Sequence, residues 1–244
     1  MRVRIGCSGW FYWHWRGKFY PDAKRTDHWF HHYTQTFHTV ELNAPFYRWP
    51  KIATAKAWVR NAPDDFRYSI KVNRLITHEK RMRRTGMLVE EFCKLAHVLG
   101  AKMGCFLFQF PPSYHFTASR LRSITSQIDP SFRCAVEFRH KSWWREAVYR
   151  AFRQHGLIFC SISAPRLPNE LIRTSETIYL RLHGRSRWYR HDYSGDELDE
   201  WAKKIAGSGT KEAWIYFDND REAFAIKNAQ DLIRRCRKLG LEVV

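Results

Sequence analysis

Glu41 and Glu137 are acidic residues set inside otherwise apolar runs, TVELNA and CAVEFR. A carboxylate in such a run is costly unless it is paired or hydrogen-bonded, so each needs a partner or a task. Two residues further on, Asn43 and Arg139 share a side of the extended chain with their glutamates. Two opposed carboxylates suit general acid–base catalysis, glycoside hydrolysis or divalent-metal binding. The same residues also suit a buried Glu–Arg network that only holds the fold together.

The other candidates are mostly cations and amides at the ends of similar runs. Lys71 closes FRYSIK, with Thr77 and His78 shortly after it, and Gln109 closes GCFLFQ. A lysine there can bind an anion, form a Schiff base if its pKa is depressed, or neutralise Glu41. Anion binding is the preferred reading, because so many other cations accompany it. In YLRLHG, Arg181 and His183 alternate and so share a face, Arg181 as a fork for carboxylate or phosphate and His183 as acid–base or ligand. Asp218-Asn219-Asp220 follows the last run, where Asn219 or Asp220 is expected to cap the final helix and Asp218 stays a ligand or base candidate. Glu41, Glu137, His183 and Asp218 together make a possible oxygen-and-imidazole metal set. No HExxH spacing supports it, so the cofactor stays unknown. Neither GxGxxG nor GxxxxGK[ST] occurs, so no nucleotide cofactor is expected.

Positioning these residues requires elements that end where the residues lie. Eight short apolar segments do so, at 3–8, 39–43, 66–71, 104–109, 134–139, 157–161, 177–183 and 212–218. Amphipathic or polar stretches follow almost every one, the signature of βαβ units around a parallel sheet. Eight units in 244 residues predict a single (β/α)8 TIM barrel domain over residues 1–244, with reactive groups at the C-terminal strand ends. The sixth unit is irregular: Pro165 and Pro168 interrupt it, leaving only residues 169–173 for a turn of helix. Residues 73–86 form an irregular basic loop, and Gly100 caps the helix before the fourth strand.

Forty-two Lys and Arg against 24 Asp and Glu give a net charge of +18, which favours polyanionic or phosphate-bearing partners or simply a solvated basic surface. No stretch approaches the roughly 18 apolar residues of a membrane span. The chain enters a strand-like segment at once, so a cytoplasmic protein is expected. Its six cysteines contain no CxxC pair, which fits buried thiols in a reducing compartment. Trp10, Tyr12, Trp13, Trp15, Tyr47, Trp49, Trp143, Trp144, Trp188, Tyr189 and Tyr193 fall in loops after strands, interleaved with Arg and His. They suit base or sugar stacking, and equally suit buried lids over a barrel.

The segments GCSGW, WRGKFYP, TVELNAPFYRWP, YSIKV, TH, FQFPPSY, AVEFRH, YLRLHGR and YFDND, in this order along essentially the whole chain, resemble the family known as domain of unknown function 72. That resemblance implies a TIM barrel. It also implies a pocket formed by Glu41, Asn43, Tyr47, Lys71, His78, Gln109, Glu137, Arg139, Arg181, His183 and Tyr189, but no reaction. Relatives often end strand six with Asp, where this chain has Ile162, and usually read Asn-Asn-Asp where it has Asp218-Asn219-Asp220.

The leading expectation is a hydrolase or lyase acting on a phosphate-bearing substrate, with nucleic acid among the candidates. Lys71, Arg139 and Arg181 would hold the anion, Glu137 and Glu41 would act as base and acid or hold a divalent metal, and His183 would be a second acid–base group. A carbohydrate-active enzyme using the glutamate pair and a non-catalytic binder of single-stranded DNA or RNA are the alternatives.

Overall fold

The computed structural model describes residues 1–23 and 25–244. Its strands are β1 (Arg2–Ser8), β2 (Thr39–Leu42), β3 (Arg67–Lys71), β4 (Met103–Gln109), β5 (Cys134–Glu137), β6 (Ile158–Ser163), β7 (Thr177–Leu182), β8 (Glu212–Phe217) and β9 (Glu242–Val243). They follow the order β2-β3-β4-β5-β6-β7-β8-β1-β9, and a further β1–β2 pairing closes the parallel sheet into a (β/α)8 TIM barrel. All eight expected strands form, with ends shifted by one or two residues. Asn43 and Arg139 consequently lie just beyond β2 and β5 rather than inside them. The two-residue β9 carries too short an apolar signal to be anticipated.

Contacts divide the chain into two compact units. One comprises Met1–Glu41, Ser161–Leu171 and Glu176–Val244, and the other Leu42–Cys160 and Ile172–Ser175.

The first unit is built on β1, β7 and β8. Val3, Ile5 and Cys7 pair in register with Ala213, Ile215 and Phe217, and Leu180 and Leu182 with Ile215 and Phe217. These side chains are buried throughout, as expected of parallel strands covered on both faces. Ser8 lies opposite Glu41 where β1 meets β2. Helix α1 (Trp29–Thr34) buries Trp29 and Tyr33, and Gly6 lets Thr39 pass close by, since a Cβ there would lie 2.2 Å from its carbonyl oxygen. The later helix over Gly195–Ala206 opens with a capping box between Ser194 and Glu197. A 3-10 turn, Arg221–Ala223, leads into the closing helix Phe224–Lys238. Neither Asn219 nor Asp220 caps that helix as expected: the Asn219 amide donates to the His191 carbonyl and to Asn228 Oδ1, and Asp220 makes no side-chain cap. Residues 169–171 form no helical turn, and neither do residues 172–173 of the second unit, so the sixth unit is irregular.

In the second unit, β3, β4 and β5 lie side by side, with Gln109 directly opposite Glu137. Gly86–Cys93 and Leu95–Leu99 form two short helices in place of one stripe, and Gly100 follows in the left-handed region at φ 52°. The basic loop after β3 is more regular than its sequence suggests, because Leu75–Glu79 winds into a π-helical turn. Single π turns occur often where a side chain is re-aimed for function. Beyond β4 and β5, the rings of Phe110, Tyr114, Trp143 and Phe138 stack almost parallel, down to 3.9 Å between Phe138 and Trp143. The Trp143 indole donates to the Tyr114 carbonyl at 2.6 Å, so this stack fixes both loops.

Candidate functional site

In the first unit the polar residues at the ends of β1, β2, β7 and β8 form one buried network. Arg181 is its hub and is 1% exposed. Its Nε and Nη2 donate to Glu41 Oε1 at 3.1 and 2.6 Å, and Nη2 also reaches Ser8 Oγ at 2.9 Å and Asp218 Oδ2 at 3.1 Å. The second oxygen of Glu41 accepts from the Tyr179 hydroxyl at 2.6 Å, and Oε1 accepts from Ser8 Oγ as well. Glu41 thus spends both carboxylate oxygens inside the protein. The guanidinium occupies the centre of Glu41, Asp218 and His183, which is the position a cation would take.

His183 is fully buried, with Nε2 3.3 Å from Arg181 Nη1 and Nδ1 2.9 Å from Asp218 Oδ2. A guanidinium can only donate, so Nε2 is the acceptor in that contact, and Nδ1 faces the Asp218 carboxylate. The rings of Trp188 and Tyr189 cover this imidazole. Gly184 turns the chain at φ 118°, where a Cβ would lie 2.3 Å from the Arg187 carbonyl oxygen. Tyr189 itself adopts φ 63° and donates its backbone N–H to the His183 carbonyl at 2.7 Å.

The second unit gathers the other candidates at the ends of β3, β4 and β5. The Glu137 carboxylate is fully buried and accepts from Arg139 Nε at 2.8 Å. Gln109 donates its amide to the Phe110 carbonyl at 2.7 Å. The Lys71 ammonium lies 4.1 Å from the centre of the Phe46 ring, and the His78 ring lies 4.9 Å from the same ring. The π turn carries His78, and Asn73 anchors that turn by donating to the Pro45 carbonyl and accepting from the Leu75 N–H. Burial first, then the charges of Lys71, Arg139 and Arg74, lower the His78 pKa to about 4 against a weaker pull from Glu137. His78 is therefore a neutral imidazole in a positive field, beside a buried carboxylate. Tyr47 is 71% exposed, and Asn43 precedes the short helix Ala44–Tyr47 without capping it.

The aromatic loop residues divide. Trp15, Trp143 and Tyr193 are core, whereas Trp13 is 62% exposed. Among the described residues, no group of three or more His, Cys, Asp or Glu is spaced to hold a metal ion.

Sequence reasoning missed Ser8, Tyr179 and His14. The alternation that pairs Arg181 with His183 also puts Tyr179 on that face, so extending it one step would have found the third Glu41 partner. His14 meets Asp220 across 206 positions of sequence, through Nε2 at 2.9 Å to the carbonyl and 3.2 Å to the carboxylate. No local pattern signals that contact. Burial, and then the nearby Asp218, push the Asp220 carboxyl upward.

The family model described as "Protein of unknown function DUF72" matches residues 4–242, and the chain belongs to that family. UPF0759 protein YunF of Bacillus subtilis is 25% identical, with 95% of this chain and 93% of that protein covered. UPF0759 protein YecE of Escherichia coli K12 is 27% identical over 51% of this chain and 48% of its own length. The crystal structure of a DUF72 family protein from Thermotoga maritima superposes with a TM-score of 0.87 at 26% identity, covering 97% of this chain and 100% of that one.

Proposed function

We propose that this member of the DUF72 family is an enzyme acting on a phosphate-bearing substrate, a hydrolase or lyase whose chemistry lies at the ends of β3, β4 and β5. The observation that carries the reading is the set of cations around His78: burial first, and then Lys71, Arg139 and Arg74, lower its pKa to about 4. A field that disfavours one more proton favours an incoming anion. In this reading Lys71 and Arg139 hold the phosphate, while Glu137 takes a proton as general base and Gln109 orients the substrate. His78, still unprotonated at neutral pH, accepts or relays a proton beside them. The net charge of +18 supports an anionic partner, with DNA and RNA among the substrates to be tried. Six free, buried thiols fit a reducing compartment such as the cytoplasm.

Glu41, Arg181 and His183 receive a structural part in this reading, because their polar atoms are already engaged with Ser8, Tyr179 and Asp218. For the same reason a sugar-cleaving pair of Glu41 and Glu137 has less support, since a general acid needs an oxygen turned to the substrate.

A panel of phosphomonoesters, phosphodiesters and abasic-site DNA tests the proposal. Turnover of at least one substrate, reduced by about 10²–10⁴-fold in Glu137→Gln, is the expected result. Turnover of none, or turnover indifferent to Glu137→Gln, would reject it. Salt-sensitive binding of single-stranded DNA or RNA that survives Glu137→Gln without turnover would support the non-catalytic binder instead.

A further inference from the structure

Within the first unit a cleft of about 480 Å³ lies among the loops that follow β1, β7 and β8. Lys71, His78, Gln109, Glu137 and Arg139, which carry the proposed chemistry, do not line it. Its charges do not cancel. Glu222 is held by Lys18, and Asp220 is held by His14. Among the described residues, the Arg190 and Arg221 guanidinium groups make no hydrogen bond or ion pair, although both line the cleft. Two solvated guanidinium groups thus face a space whose carboxylates are already engaged by Lys18 and His14.

The aromatic wall comes from Trp188, on the loop that also supplies Arg190. The backbone that presents these groups is unusual. Tyr189, Glu222 and Ala223 have φ of 63°, 59° and 61°, a region that non-glycine residues rarely adopt. A hydrogen bond from the Arg221 N–H to the Tyr189 carbonyl, at 3.3 Å, ties the two loops together. Left-handed residues held this way cluster at ligand sites more than elsewhere. The contacts of His14 with Asp220 are made through Nε2, so Nδ1 is the ring nitrogen left to a ligand.

We propose that this cleft binds a 5′-phosphorylated nucleoside, with Arg190 and Arg221 gripping the phosphate and Trp188 stacking the base. Guanidinium groups match phosphate oxygens in fork geometry, and an indole accepts any base by stacking. The ligand can come from two sources, a free mononucleotide or the 5′ end of a strand. Binding here does not depend on the chemistry proposed for Glu137.

Isothermal titration calorimetry of the full chain tests this with adenosine 5′-monophosphate, adenosine, inorganic phosphate and an oligodeoxynucleotide with or without a 5′-phosphate. Adenosine monophosphate is expected to bind saturably and adenosine not to. Arg190→Ala and Arg221→Ala should each weaken binding roughly tenfold, the worth of a charge-assisted hydrogen bond. Both side chains are exposed, so these variants should fold normally. Trp188→Leu should weaken the nucleotide and leave inorganic phosphate unchanged. Tighter binding of the phosphorylated strand than of the mononucleotide identifies a strand end, and the reverse identifies a free nucleotide; both uphold the site. Repeating the titration in Glu137→Gln separates the two proposals, because binding there should persist even if no phosphoester is ever cleaved. Undiminished binding in the Arg190→Ala/Arg221→Ala double variant, equal binding of adenosine, or no saturable binding would overturn the assignment.

Discussion

Arg181 holds Glu41 through two nitrogens that converge on one oxygen, Nε at 3.1 Å and Nη2 at 2.6 Å. Neither side chain is more than 1% exposed, so the pair gets almost no help from water. Taking two charges out of water is costly, and losing one partner is costlier still because the other is left buried alone. Arg181→Met is expected to cost about 3–5 kcal/mol in urea unfolding. The double variant Arg181→Met/Glu41→Leu should recover part of that loss, since the orphaned carboxylate is gone. A double variant no more stable than Arg181→Met alone would show that Glu41 is not the group left stranded.

Tyr179→Phe removes the hydroxyl that donates to Glu41 Oε2 while keeping the ring. A hydrogen bond to a charged group contributes about 1.5–3 kcal/mol, and a loss in that range is expected from chemical denaturation. An unchanged midpoint would mean that water or another donor replaces the hydroxyl.

His78 ties stability to pH. Its pKa falls from 6.5 in the unfolded chain to about 4 in the folded protein. Between those values the unfolded state binds more protons, so stability rises with pH through this window and is lost as pH falls from about 6.5 toward 4. His78→Asn should flatten that part of the profile and leave the alkaline side alone. If His78 relays a proton in turnover, the acid limb of the rate profile should lie near 4 rather than 6.5. An acid limb near 6.5 that persists in His78→Asn would assign it to another group.

Asn228 fastens the loop after β7. Its side chain accepts from the Tyr193 N–H at 3.2 Å and from Asn219, and donates to Asp192 Oδ1 at 2.9 Å. Asn228→Ala should speed hydrogen exchange at the Tyr193 amide and lower stability by about 1–3 kcal/mol, the cost of leaving buried polar groups unsatisfied. Unaltered protection at that amide would show that the loop is held elsewhere.

The barrel was legible because strand ends and apolar runs are local. Each of the eight sheltered runs formed a strand, and the polar residue at its end fell within two positions of the strand terminus. Partnership was not legible. Arg139 stands two residues from Glu137 and finds it, as alternation suggests, whereas Arg181 reaches Glu41 across 140 positions. Arg181 looked like an anion fork from sequence because nothing local shows that Ser8, Glu41 and Asp218 already surround it. The final helix gave the opposite error. Asn219 and Asp220 have cap chemistry at a cap position, but competing partners on His191, Asn228 and His14 take their side chains instead.

All six cysteines are buried and free, and burial raises the pKa of Cys93 and of Cys236 to about 12 each. Thiolate, the form that reacts with a disulfide reagent, is therefore scarce while the chain stays folded. A cysteine reagent mixed with the native protein would then colour only as fast as the chain opens. In effect the molecule carries its own clock: six buried reporters that time how often the interior around each of them meets solvent.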